Sequence, residues 1–413
     1  MLRFHTKTIY EALGRDPVHP FPARMAPGIA LELLSNTDKR LRVLDPMMGS
    51  GTVLAMARSK GHQAIGIDID PLAVLISKVW TTSIDPGEVQ AMAEQVLARA
   101  KAIFDTLDQK DAYPRHADHE TRKFIVYWFD GYARRQLASL AIAIGRVRNE
   151  GIRNVLWCAF SRLIIAKRVG ASLAMDLAHS RPHKSFDRAP AKPFKKFLES
   201  VERVTKNCIK RSGINLGPAT GTHLGDARSL PLHRESVDLV LTSPPYLNAI
   251  DYVRCSKFSL VWMGHGIADL RNLRSKSIGS ETGKNCSSDD QDVINIVNEL
   301  KLKPNLNPRD EKILAQYITD MRSALKEVAR VLLPGGRAIY VIGENTIRGT
   351  YIRNTVIMTA LAQLSGLILK ERFSRVLPAN RRYLPPPALD KSSAMSLRMR
   401  REAVLVFGKP TAA

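Results

Sequence analysis

The sequence predicts an α/β protein with a doubly wound sheet interrupted by a helical insertion. Three observations predict it. Strand-like and helix-like segments alternate over 41–84 and again over 222–407. A glycine-rich turn follows the first strand. The segment between, 86–215, reads almost entirely as helix. Alternation of this kind builds a parallel sheet covered by helices.

The elements follow in order. Leu41 to Leu44 is a short apolar strand, and Asp45-Pro46-Met47-Met48-Gly49-Ser50-Gly51-Thr52 is the turn after it. Val53 to Lys60 carries apolar residues at helical spacing, and Gly61 closes it. Ala64 to Ile67 is a second strand ending on Asp68, and Pro71 opens the next helix where its missing N–H costs little. In the second half, Thr222 to Leu224 leads into Gly225-Asp226-Ala227. Val237 to Leu241 is an apolar strand that stops at Thr242-Ser243-Pro244-Pro245-Tyr246. A helix over 310–333 ends at Pro334-Gly335-Gly336, then Arg337 to Ile342 reads as strand, 355–365 as helix and 403–407 as a last strand.

The chain therefore divides into a first sheet half over 1–85, the insertion over 86–215 and a second sheet half over 216–413. Helices are expected over 88–107, 125–148, 154–168 and 195–210, with a proline-rich interruption over 182–193. The stretch 264–308, with Gly279, Gly283 and the pair Asp289-Asp290, reads as a loop insertion.

Composition narrows the partners. The 413 residues carry 62 Lys/Arg against 39 Asp/Glu, a net charge of +23, and 45% hydrophobic residues supply a core. Such a charge points to polyanions, nucleic acid before anionic membrane. It is concentrated: 101–213 holds 23 Lys/Arg against 11 Asp/Glu, and 370–402 nine against three. Cys158, Cys208, Cys255 and Cys286 form no C-x-x-C pair, which argues against a zinc site or a disulfide framework. His116 and His119 have no third ligand nearby in sequence, so no metal site is expected. The N-terminus has no apolar signal-like run, and Val155 to Ala166 is too short for a bilayer and contains Arg162. A soluble, reduced, cytoplasmic protein is expected.

Two motifs carry chemistry. Gly49 and Gly51 let the backbone approach a ligand closely, and Asp68, at the next strand end, suits a ribose diol. Asp45 at the start of the turn would repel a pyrophosphate but suits an ammonium or sulfonium, which favours a cofactor bearing an amino acid over a dinucleotide. In Ser243-Pro244-Pro245-Tyr246, two prolines fix the backbone so that a carbonyl cannot swing away. A small polar side chain beside a fixed carbonyl can accept both hydrogens of an exocyclic amine, and Tyr246 can stack on its base. Tyr127-Trp128-Phe129 and Trp262 read as core rather than as stacking platforms. The basic-aromatic stretch Arg181-Pro182-His183-Lys184-Ser185-Phe186-Asp187-Arg188 and the loop Arg381-Arg382-Tyr383-Leu384-Pro385-Pro386-Pro387 are candidate phosphate contacts.

D-P-M-M-G-S-G-T, G-I-D-I-D-P and T-S-P-P-Y together resemble the amino-directed, S-adenosylmethionine-dependent DNA methyltransferases. The resemblance covers about 19–84 and 222–407. It implies a seven-stranded, Rossmann-like class I methyltransferase sheet. His19 to Pro27, including Phe21 and Pro22, resembles the segment that closes over the methionine end of the cofactor. By the same resemblance Asp45, Gly49 and Gly51 line the methionine pocket, Asp68 holds the ribose and Asp226 faces the adenine amine. The cofactor-binding set is thus Phe21, Pro22, Asp45, Pro46, Gly49, Ser50, Gly51, Thr52, Asp68, Asp226 and Ala227. The catalytic set is Ser243, Pro244, Pro245 and Tyr246. Serine at 243 resembles the enzymes acting on cytosine N4, with adenine N6 second. Met47 departs from the family, which commonly has Phe there. The motif order resembles a circularly permuted arrangement. The resemblance implies double-stranded DNA as partner, the insertion as target-recognition region and an association with a cognate restriction endonuclease.

Two alternatives stand beside this one. Transfer-RNA guanine methyltransferases share the motif order and a related D/N-P-P-Y. The roughly 18 residues ahead of His19 leave no room for a separate RNA-binding domain there, which weighs against them. A catalytically silent nucleic-acid-binding protein is the second, and the intact glycines, Asp68 and S-P-P-Y weigh against decay.

Overall fold

Apolar strands at the centre of the sheet line up in parallel because only helices on each side can cover their two faces. The structure, a computed structural model, describes residues 8–21, 25, 27–35, 39–167, 169–175, 177, 182–210, 220–247, 252–280, 290–300, 306–347, 350–376 and 401–411. Pro22, Arg181 and the loop 381–387 lie outside the described residues.

The first half begins with a short helix, Ile9–Leu13 (α1), and Pro27–Ser35 (α2). Then come Arg42–Asp45 (β1), Thr52–Ser59 (α3), Gln63–Asp68 (β2) and Pro71–Thr81 (α4). Ser83–Ile84 (β3) pairs in parallel with Ile209–Lys210 (β4), closing the base of the insertion at its entry and exit. After it, Gly221–Leu224 (β5) and Val237–Thr242 (β6) resume the sheet, followed by Leu332–Gly343 (β7). Asn345–Ile347 (β8) and Thr350–Ile352 (β9) form a small hairpin, and Ile368–Val376 (β10) and Arg401–Gly408 (β11) complete the set. The sheet order is β10-β11-β7-β6-β1-β2-β5, with β11 antiparallel to both neighbours. The seven strands form one open, doubly wound sheet, with the strand number that the resemblance implies.

The chain winds from β1 to β2 to β5 on one side and from β6 to β7 and β11 on the other. Between β1 and β6 the direction of winding reverses. Open α/β sheets bind ligands in the crevice outside the strand ends at that point. Both sequence motifs stand there.

The insertion is built from Pro86–Thr106 (α5), His119–Trp128 (α6), Gly131–Gly145 (α7), Glu150–Ile164 (α8) and Pro193–Asn207 (α9). The single helix expected over 125–148 is two. Asp130 accepts hydrogen bonds from Tyr132 N and Ala133 N at 3.0 Å each, so it caps α7 and breaks the run. The insertion does not hang free. Val155, Phe160, Phe197 and Val201 join Leu72, Ile76 and Trp80 of α4 in one continuous core.

The stretch 264–308, expected as loop, is corrected by the structure. It carries Ile267–Lys276 (α11) and Gln291–Glu299 (α12), preceded by Tyr252–Leu260 (α10). Asp290, read as part of a loop signal, caps α12 through a 3.1 Å bond from Asp292 N, and Arg322 clamps both carboxylates. Pro308–Val331 (α13) and Asn354–Leu364 (α14) cover the second half of the sheet. Among the described residues no helix is long and apolar enough to cross a membrane.

Close packing behind the turn leaves no room for a side chain at Gly66. A Cβ there would stand 2.3 Å from Met48 Sδ and 2.6 Å from Leu54 Cδ2. Gly66→Ala should therefore cost about 1–3 kcal/mol, as overpacking does. A thermal unfolding midpoint several degrees below wild type checks it.

Candidate active site at the sheet's switch point

The turn after β1 is held from two sides. Met48 N donates to the Ile67 carbonyl at 3.0 Å, and Gly49 N donates to Asp68 Oδ2 at 2.8 Å. Gly49 and Gly51 take φ of +50° and +82°, backbone that favours glycine. A Cβ on Gly51 would fall 2.2 Å from Ser77 Oγ, so this position also admits no side chain. Phe21, from the N-terminal segment, stands 3.9 Å from where a Gly49 Cβ would be. That segment is anchored on the insertion: Arg162 donates to the Val18 carbonyl at 2.8 Å, and His19 Nε2 is 2.9 Å from Ser161 Oγ.

Asp45 is buried at the end of β1. It accepts from Thr242 Oγ1 at 2.7 Å and from Met47 N at 3.2 Å. Thr242 is the last residue of β6, and β1 and β6 are neighbours, so this bond joins two motifs that lie 197 positions apart. Burial pushes Asp45 up to about 7, against the two hydrogen bonds that favour its ionised form. Asp68 is raised as well, chiefly by burial. Asp70, which caps α4 through Leu72 N at 2.8 Å, is pushed up to about 7 by burial and by the Asp68 charge. Three acidic groups thus share one site, with the Asp68 charge acting on both of the others. Ser50 Oγ and Thr52 Oγ1, buried in the same turn, have no hydrogen-bond partner among the described residues. Buried hydroxyls left in that condition are what a polar ligand would satisfy.

At the end of β6 the turn Ser243–Tyr246 is held rigidly. Pro244 is buried, and Ser243, Pro245 and Tyr246 are half-buried. Ser243 Oγ donates to the Val341 carbonyl at 3.1 Å. With its proton committed, the oxygen's lone pairs remain for an incoming N–H. Tyr317 of α13 donates to the Pro245 carbonyl at 3.3 Å, and Asn345 donates to the Leu247 carbonyl. No described residue donates to the Pro244 carbonyl.

Asp226 lies beyond the end of β5 with its carboxylate already gripped. Arg228 reaches it through Nη2 at 2.7 Å and Nε at 3.0 Å, and through its own backbone N at 2.9 Å. Burial works to raise Asp226, but Arg228 outweighs it and holds the carboxyl below its usual range. Arg228 also pairs with Asp320 at 2.6 Å and donates to the Lys276 carbonyl at the end of α11. A cavity of about 210 Å³, lined by Arg228, Lys276, Gln316 and Asp320 among others, opens beside it. Pro46 and Ala227 are buried parts of their turns.

Sequence reasoning missed Arg228, Tyr317, Asn345 and Tyr340. Tyr317 and Asn345 act on the proline turn from elements distant in sequence, so no local pattern marks that role, whereas Arg228 stands two residues after Asp226, where the Asp-Ala-Arg string was the available signal. Tyr340 faces Thr242 in register and is buried with no described partner for its hydroxyl. Trp262 and Phe129 are buried as expected of core residues, whereas Tyr127 is 55% exposed.

No family model matches the chain. Individual proteins do. It is 24% identical over 412 residues to the type II methyltransferase M.MvaI of Kocuria varians, covering 94% of this chain and 90% of that protein. Type II methyltransferase M.AvaI of Nostoc sp. is 24% identical over 370 residues, 79% of this chain and 73% of its own length. M.MjaII of Methanocaldococcus jannaschii is 21% identical over 444 residues, covering 87% and 76%. Along most of its length the chain is thus similar to several type II methyltransferases. The alignments run through the insertion as well as the sheet, since 94% of the chain is covered in the first.

The raised Asp45 has a measurable consequence. Its folded-state pKa lies above the unfolded value, so folding takes up a proton between about pH 4 and 7 and stability falls as pH rises through that window. Asp45→Asn, which mimics the protonated form, should lose less stability than wild type between pH 5 and 8. Chemical denaturation at the two pH values checks it; an identical loss in both proteins would refute the assignment.

Proposed function

We propose that this chain is a DNA methyltransferase that transfers a methyl group from S-adenosylmethionine to the exocyclic amine of a flipped base, cytosine N4 before adenine N6. The carrying observation is the Asp45–Thr242 hydrogen bond, which puts the glycine turn and the S-P-P-Y turn on one crevice.

The residues present suit the cofactor. Its ammonium and sulfonium are cationic, and the turn offers Asp45 with Asp68 and Asp70 behind it. The unpartnered Ser50 and Thr52 hydroxyls offer further polar contacts. Gly49 and Gly51 leave room at the backbone, Asp68 stands at the strand end for the ribose, and Phe21 closes one side. Asp226, still open to solvent on one flank, is the contact for the adenine amine, with Arg228 fixing its orientation. When bound, the cofactor supplies an electrophilic methyl group.

The protein's task is to prepare a poor nucleophile. An amine conjugated to a base ring has a delocalised lone pair, so it must be held and its N–H bonds polarised. Ser243 Oγ and the Pro244 carbonyl are the acceptors for its two hydrogens. Tyr317 and Asn345 keep the turn from relaxing by occupying the carbonyls on its far side. Tyr246 stacks on the base. The reading uses no cysteine nucleophile, and among the described residues Cys158, Cys208 and Cys255 are buried. Extrusion of the base from a duplex costs a few kcal/mol, which contacts to the flanking DNA must offset. The basic insertion is the element for that. This reading carries with it a place in restriction–modification beside a cognate endonuclease.

Ser243→Ala tests the catalytic assignment. Turnover should fall on the order of 10²-fold, the size of losing one preorganised polar contact to a reacting group. Cofactor affinity, read by calorimetry, should stay near wild type. Equal loss of both, or undiminished turnover, would remove Ser243 from the mechanism. The substrate is read by incubating the full chain with methyl-labelled cofactor and duplex DNA or transfer RNA, digesting to nucleosides and weighing the product. N4-methylcytosine supports the first choice and N6-methyladenine the second. A methylguanosine, or no product at all, would overturn the reading.

A further inference from the structure

The insertion presents a face that the site above does not use. On α6 and the loop before it, Tyr113, His119, Arg122, Lys123, Val126 and Tyr127 line a shallow concavity of about 510 Å³. Val126 and Tyr127 are 51% and 55% exposed, an unusual amount of apolar surface to leave in water side by side. Their neighbours are cations held in place. Arg122 lies over the Tyr113 ring at 5.2 Å, and its Nε donates to the Ala117 carbonyl at 3.0 Å. Lys184 comes from a ribbon in which Ala174 pairs with it, and its Nζ lies 5.3 Å from the Tyr127 ring. Among the described residues neither Lys123 nor Lys184 has a carboxylate partner; of the acidic side chains on this helix, Glu120 is paired with Arg271 and Asp118 caps the helix by accepting from Thr121 N. Exposed rings interleaved with fixed, unneutralised cations suit a polyanion that also offers flat faces.

The position of this face decides what it serves. Helix α11 links it to the proposed base pocket. At its start, Ile267 N donates to Thr121 Oγ1 of α6 at 3.0 Å. At its end, Lys276 is held by Arg228, and Gly279 just beyond has its Cβ position 3.4 Å from the Tyr246 carbonyl oxygen. Ten helical residues at 1.5 Å each span about 15 Å. Over that length a DNA duplex carries roughly nine phosphate charges. A duplex with one base drawn toward Tyr246 has its flanking backbone within reach of α6.

We propose that the α6 face, through Arg122, Lys123, Tyr127 and Lys184, is a docking surface for the duplex DNA that flanks the target base. The inference rests on the DNA-methyltransferase reading and assigns it a contact surface. Its test uses the full chain and a labelled mixed-sequence duplex. The variant is Arg122→Gln/Lys123→Gln/Lys184→Gln with Tyr127→Ala; the control is Arg234→Gln, an exposed arginine just ahead of the start of β6. Log affinity is plotted against log salt concentration, and cofactor affinity and thermal midpoint are measured on the same samples.

The variant should bind the duplex at least tenfold more weakly at low salt. Its salt slope should be shallower by about 0.9 for each phosphate that is no longer neutralised, so by about two to three in all. Cofactor affinity and thermal midpoint should match wild type, and Arg234→Gln should leave the slope unchanged. Wild-type affinity and slope in the variant, or an equal loss in Arg234→Gln, would overturn the proposal. So would loss of transfer-RNA binding with duplex binding intact. Methylation of DNA by the wild-type chain is scored separately. Its absence counts against the functional reading, whereas methylation with an unaltered variant counts against this surface alone.

Discussion

One buried hydrogen bond organises this molecule. Thr242 Oγ1 and Asp45 Oδ1, 2.7 Å apart, join the last residues of two neighbouring parallel strands at the point where the winding of the sheet reverses. A carboxyl group buried there is costly as an anion, and the hydroxyl and the Met47 amide are what it has in the protein to offset that cost. The pair fixes where the glycine turn ends and where the proline turn begins. Everything else that defines the crevice is arranged around them. Asp68 holds the glycine turn from β2, Tyr317 and Asn345 hold the proline turn from the opposite side, and Arg228 holds Asp226 at the rim.

The insertion belongs to the same construction. Its core merges with α4, the helix that Asp70 caps directly behind the glycine turn, and its α8 carries the Arg162 and Ser161 contacts that seat the N-terminal segment over Gly49. Helix α11 then ties α6 to the end of the proline turn. Three long-range connections therefore tie the basic helical body to the crevice. Such coupling is a reason for an insertion to be packed into the fold rather than strung from a linker.

The parts of this fold that were legible in the sequence are those whose pattern is local. Val237–Thr242 is apolar because it is buried on both faces, and Gly49 and Gly51 are glycines because their backbone and the Ser77 side chain exclude anything larger. The strand β10 escaped notice for the opposite reason. It is a sheet edge, and its ILKERFSRV sequence shows charge and exposure where a central strand shows Val and Leu. Helix α11 was unreadable because its polar sequence gains its place from Thr121, Glu120 and Arg228, none of them nearby in the chain. Asp290 and Asp130 look like loop or helix-interior residues until their capping bonds are seen. The same holds at the site. Asp45, Asp68 and Ser243 stand in recognisable turns, whereas Tyr317 and Asn345 act on the proline turn from across the fold, and Arg228 ties its neighbour Asp226 to the distant Asp320.

The most direct test of this account removes the bond on which it rests. Thr242→Val keeps the shape of the side chain and deletes the donor to Asp45. A hydrogen bond to a charged, buried group contributes about 1.5–3 kcal/mol, so cofactor affinity near pH 7.5 should weaken roughly tenfold or more, and methyl transfer should fall with it. Wild-type affinity together with wild-type transfer in Thr242→Val would contradict the claim that this hydrogen bond joins the two halves of the site.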